Sequence, residues 1–302
     1  MGQEKSANLR QTVGGIVSSV AGLVTIIFGV VFLFSEYNII LKGFSEAGKN
    51  AGVVMQSVHQ PIFTQILGLA GIMLLVGAYG FFIKRNWAWV VAFIGSTIGV
   101  FGGFMLMMFP LMVLLPMKHI PTFLLCTITW FVLTLYVRPY GKKLVAFSFT
   151  CGMAMTMTFM NGNAALNKII GVHLKMKSMN PDAVDVGMIK MMAGNPGLIY
   201  QAIQQILWVG ALGLFIITIA VFYQRDWVLP VGIGSAIISL VAGTPVAYID
   251  TVIDKAGEKL SMFSFAPFLA AIILIVLLVF REKIWSEEEV SPGVQSTEQV
   301  SV

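Results

Sequence analysis

Charge is what this sequence has least of. Only 11% of its 302 residues are Asp, Glu, Lys or Arg, against about 25% in soluble domains. Cysteine is nearly absent: Cys126 and Cys151 are the only two, and both sit in apolar runs. That excludes a disulfide framework. No glycine loop of the phosphate-cradling kind follows a strand pattern, no nucleophile elbow appears, and no carboxylates are paired. Catalytic machinery and a bound cofactor are therefore not legible. The excess of positive charge, +5, calls for no nucleic acid, because membrane proteins gather Lys and Arg in their cytoplasmic loops.

Apolar residues fill the gap. They make up 57% of the chain, and mean hydropathy is +0.87. A helix needs roughly 20 apolar residues to cross the hydrocarbon layer. Eight runs meet that length: Val13–Ser35, Ile62–Ile83, Trp87–Leu115, Pro121–Val137, Leu144–Met160, Leu198–Tyr223, Trp227–Ile249 and Phe263–Phe280. None contains Asp, Glu, Lys, Arg or His. Pro110 should kink or end the third run. The first run is too long for a cleaved signal sequence and reads as a retained span. The expected fold class is an all-α polytopic membrane bundle of eight transmembrane helices, with the lipid bilayer as its solvent.

The positions of the arginines orient the bundle. With eight spans, Arg10, Arg85, Arg138, Arg225 and Arg281 fall on one side, together with Lys5, Lys84, Lys142, Lys143 and Lys283. The other side receives nine lysines, spread over longer loops. Positive charge close to span ends marks the cytoplasmic face. Both termini are thus expected in the cytoplasm, in the plasma membrane, with residues 281–302 as a disordered cytoplasmic tail.

An internal repeat is also expected. At an offset of 140 residues, Gln65, Ile66 and Leu67 fall on Gln205, Ile206 and Leu207. Arg85 and Trp87 fall on Arg225 and Trp227, and Phe123 on Phe263. Gly95, Gly99 and Gly103 fall on Ser235, Ser239 and Gly243. The sequence therefore divides into a cytoplasmic N-terminus (1–12), a four-helix repeat (13–137) with a long outer loop at 36–61, a cytoplasmic linker (138–143), and a second repeat (144–280) with an outer loop at 161–197. An even number of spans keeps both copies in one orientation, so the two four-helix repeats are tandem and parallel.

Small residues every fourth position let helix backbones approach in a membrane, where burial of apolar surface alone supplies no attraction between helices. Gly95, Gly99, Gly103, Ser235, Ser239 and Gly243 are the expected helix-packing positions. Gln65, Gln204 and Gln205 are the polar groups within the spans and the candidates to line a path.

The uncharged spans disfavour proton or ion coupling, which places ionisable groups at membrane depth. His59, His119 and His173 fall on the outer side without metal-ligand spacing. "CGMAMTMTFM" and "MLMMFPLM" offer soft ligands for Cu(I), but flexible Met more plainly fills gaps in apolar packing. "NPDAVDVGMIKMMAG", with Asn180 as cap, Pro181 at the first helical position and Gly194 as stop, predicts a short outer helix.

Two functions fit these features. One is a pore or carrier for a neutral or apolar small molecule, with its path between the repeats. The other is a non-catalytic membrane subunit or assembly factor that presents its outer loops to a membrane-protein partner or to a second copy of the chain.

Overall fold

The computed structural model describes residues 2–179, 196–223, 227–248 and 265–285. Every element among them is helical. Helix α1 (Gly2–Ile26) runs through a π-helical turn (Ile27–Val31) into α2 (Phe32–Glu46). After it come α3 (Asn50–Phe82), α4 (Ala88–Leu111) and α5 (Ile120–Val132), the last ending in a second π turn (Leu133–Val137). The chain continues with α6 (Lys142–Met179), α7 (Pro196–Ala220), α8 (Val228–Tyr248) and α9 (Phe265–Ile275). A third π turn (Val276–Phe280) then leads into the short α10 (Arg281–Trp285).

Eight helical stretches among the described residues are long and apolar enough to cross a membrane, and each contains or overlaps one of the eight runs read from the sequence. The molecule is a multi-pass α-helical membrane protein.

The segment expected as an outer loop over 36–61 is almost wholly helix. α2 runs to Glu46, a tight turn holds Gly48 at φ +67°, and α3 starts at Asn50. Likewise α6 continues to Met179, well into the span expected as loop 161–197. Length explains the difference: once a helix is formed, each added residue gains a backbone bond at little cost, so polar flanks extend the spans. α4 stops one residue after Pro110. The helix expected over Asn180–Gly194, the turn at Arg225 and residues 286–302 of the expected tail lie outside the described residues.

Two compact units divide the chain. The first is Met1–Pro139 with Leu166–Gln201; the second is Tyr140–Ala165 with Ala202–Val302. In the first, α1–α2 runs antiparallel to α3, with Gly14 against Phe81, Gly29 against Leu67 and the Phe44 ring on Gly52. The core side of α3 follows strict alternating steps of four and three: Gln56, Gln60, Phe63, Leu67, Ala70, Leu74, Gly77 and Phe81 are all buried. This is the spacing of a helix that packs one seam against its neighbours.

Proline in that helix needs an explanation. Pro61 has no amide hydrogen, so the carbonyl four residues earlier loses its helical donor. That carbonyl belongs to Ser57, and the Tyr37 hydroxyl of α2 donates to it at 3.0 Å.

Candidate functional site

Small residues set how closely the helices approach. A methyl built on Gly95 would lie 2.9 Å from Met73 Cβ and 3.1 Å from the Leu74 amide nitrogen; one on Gly99 would lie 2.5 Å from Cys126 Sγ. At Gly103 it would reach the Phe123 amide nitrogen at 3.0 Å. The glycine face of α4 therefore turns from α3 to α5 within the first unit. In the second unit, Ser235 Oγ occupies the space a methyl on Gly213 would need, and Ser239 Oγ would stand 3.1 Å from one on Gly210. Gly243 sits 3.2 Å from Asn161 Nδ2 by the same measure, and its carbonyl accepts from that amide at 3.4 Å.

Gln65 and Gln205 are exposed on their helices, whereas Gln204 is buried. The polar interior of the first unit is built from other residues. Gln56 and Gln60 are fully buried, and none of their four amide nitrogen and oxygen atoms has a hydrogen-bond partner among the described residues. His59, one turn from Gln56 and next to Gln60, stacks on Phe109 of α4 at 6.5 Å and 13°. Its Nδ1 has no hydrogen-bond partner among the described residues, and neither has Thr122 Oγ1 of the fourth span.

Glu36 reaches this level from α2. Its carboxylate is 3.1 Å from Lys118 Nζ through one oxygen and 3.1 Å from His119 Nε2 through the other. Glu36 and His119 are buried, while Lys118 extends to the surface. A buried carboxylate requires a counter-charge, and the connection between α4 and α5 supplies it. Residues 112–119 thus form a strap across one end of the first unit. The strap is tied again by the Lys49 ammonium donating to the Met112 carbonyl at 2.7 Å. Leu114, at φ +57° and 91% exposed, projects from it.

Burial holds the His119 imidazole below its ordinary pKa of 6.5, and the Lys118 charge adds to that lowering. The Glu36 carboxylate and the Phe28 backbone act in the opposite direction without overcoming it. With His119 neutral, Glu36 and Lys118 cancel and the cluster carries no net charge.

Polar groups are buried in the second unit too. Asn161 is fully buried and Asn163 nearly so; Asn161 Oδ1, both Asn163 amide atoms, Thr158 Oγ1, Ser239 Oγ and Trp208 Nε1 lack hydrogen-bond partners among the described residues. Trp208 stacks on Phe159 at 5.4 Å and 8°, and Gly162 passes against the indole at 2.5 Å from a built methyl.

No three His, Cys, Asp or Glu side chains among the described residues come together as a metal site. Met105, Met108, Met155, Met157 and Met160 are buried as core side chains. His173 lies on α6, and its side chain is outside the described residues.

Sequence reading passed over Gln56 and Gln60, and weighed His59 only as a metal ligand, because Pro61 and the polar residues before it resemble a loop. The signal was there: the four–three spacing of Phe63, Leu67, Ala70 and Leu74, continued backwards through Pro61, lands on Gln60 and Gln56.

No family model, no curated protein and no solved structure matches this chain.

Proposed function

We propose that the protein is a pore or carrier that passes a small uncharged molecule across the plasma membrane. The observation that carries this reading is the pair of polar interiors. Each unit buries several hydrogen-bonding side chains whose atoms have no partner among the described residues, inside helices that are otherwise apolar. In hydrocarbon each such group costs several kcal/mol, and polar groups held at membrane depth mark substrate pathways by default.

Two tandem parallel repeats complete the proposal. Support for the repeat comes from contacts inside each unit. Gly95 packs on Met73 and Ala70, and Gly99 has Ala70 within 3.8 Å; at the offset of 140, Ser235 packs on Gly213 and Ser239 on Gly210. The helix starts also correspond: the Val91 amide bonds to the Trp87 carbonyl, and the Val231 amide to that of Trp227. The fourth span of each repeat ends in a π turn, Leu133–Val137 and Val276–Phe280, immediately before Arg138 and Arg281. The arginine placement supports cytoplasmic termini.

A membrane-subunit role is the second reading. Ile39, Val54, Val58 and Leu114 are apolar and exposed around the outer end of the first unit, which suits a partner surface. Liposome flux separates the two. Purified protein in vesicles should speed the entry of small neutral solutes over empty vesicles, read by light scattering after an osmotic step. Unchanged rates, together with a stable companion protein on native purification, would replace transport with the subunit role.

A further inference from the structure

We propose that the outer half of the first unit contains a binding site for a small uncharged solute bearing both hydrogen-bond donors and acceptors, of the short amide or polyol class, held by Gln56, His59, Gln60 and Thr122. The proposal deepens the transport reading and rests on it for its physiological meaning.

Register places these residues together. The Tyr37–Ser57 hydrogen bond and the Phe44–Gly52 contact fix α2 against α3, which sets Glu36 level with Gln60. Glu36 reaches His119 at 3.1 Å, so the first turn of the fourth span stands at the same height. Thr122 follows His119 by three residues, on the same helix face. His59 meets Phe109 of the third span. All four spans therefore contribute to one level of the interior.

Burial makes that level unusual. Gln56, Gln60 and Thr122 are fully buried, and His119 is 1% exposed. Side chains that merely fill a polar core arrive with partners, since an unmade buried hydrogen bond costs about 1–3 kcal/mol. Here six atoms in four side chains have none among the described residues: the two amide atoms of Gln56, the two of Gln60, Nδ1 of His59 and Oγ1 of Thr122. Tyr37, close by, does find a partner in the freed Ser57 carbonyl, so the helices can satisfy polar groups at this depth where the chain requires it.

Chemistry selects the guest. Each glutamine offers both a carbonyl acceptor and amide donors, and threonine and neutral histidine are likewise two-way. An ion would meet no compensating charge, because Glu36 and Lys118 already neutralise each other. A purely apolar molecule would leave the amides unmade. A compact neutral molecule with both donors and acceptors satisfies both sides.

The test is saturation-transfer NMR on the full-length protein in detergent, with acetamide and glycerol as separate probes. The wild-type chain should transfer saturation to at least one of them. Gln56→Leu/Gln60→Leu should reduce that transfer about tenfold, the factor corresponding to about 1.4 kcal/mol of lost interaction, while Gln65→Leu, at an exposed position, should not. The same double variant should melt higher than the wild type, since its buried amides give up no internal bond. Equal transfer by the wild type and the double variant would overturn the site, and so would a lowered melting point with no transfer in either protein, which marks the amides as fixed structural groups. Binding without vesicle flux keeps the site and removes transport; flux that survives Gln56→Leu/Gln60→Leu does the reverse.

Discussion

At Gly99 a single hydrogen atom decides whether two helices can meet. Any larger side chain would have to pass Cys126 Sγ, which stands 2.5 Å from where a methyl would sit and is itself in contact with Thr25 Oγ1 at 3.2 Å. Overpacking of this kind costs about 1–3 kcal/mol. Gly99→Leu should therefore lower the melting temperature and yield in detergent. Gly234→Ala, with nothing within 4 Å of the added methyl, should leave both unchanged or slightly raise them. Equal melting of Gly99→Leu and wild type would sink the packing role. The ladder was legible because small residues every fourth position stand out in a leucine-rich run. The buried amides were not, because the eye stops at Pro61. Gln65, chosen for lying inside an apolar run, is five residues beyond Gln60 and so points to a different side of the same helix.

Among the elements, the strap of residues 112–119 carries a buried histidine that should make its stability depend on pH. Its ends are held by Lys49 on Met112 and by Lys118 and His119 on Glu36. His119 has a depressed pKa in the folded protein, so the fold favours the neutral ring. The unfolded chain then binds the extra proton more readily, and stability falls as pH drops below about 6.5. The contribution is fully present above that value and is lost as pH passes through the lower folded value. Between about pH 8 and about pH 5, the hydrogen-exchange protection of the strap amides, taken relative to the intrinsic rate at each pH, should fall more than that of α4. Lys118→Met removes the cation that opposes protonation and leaves Glu36 as the sole formal charge beside the ring. The pH trend of strap exchange should weaken or reverse in that variant; an unchanged trend would mean that His119 does not control the strap. None of this was readable from the sequence, since Glu36 and His119 lie 83 positions apart and only the antiparallel arrangement of spans one and four joins them.

For the whole molecule, the number of spans was the most legible property. Twenty apolar residues without charge have few other uses, and each of the eight runs overlaps a helix long enough to span among the described residues. What the run lengths concealed was how far those helices continue once they leave the apolar stretch, as α1–α2 and α6 do. The arrangement of arginines adds a topology that can be measured. Single cysteines placed at Lys49 and at Gly141, on a background with Cys126 and Cys151 replaced by Ala, should label from opposite sides of intact cells, Lys49 from outside and Gly141 only after permeabilisation. The reverse result would invert the proposed orientation and leave the eight spans intact.

The proline in α3 has one more consequence. Because position 61 carries no amide hydrogen, one rung of the α3 ladder is missing there, and the Tyr37 phenol of the neighbouring helix takes its place on the Ser57 oxygen. A hydroxyl borrowed from α2 thereby closes the gap in the ladder just where the buried amides begin.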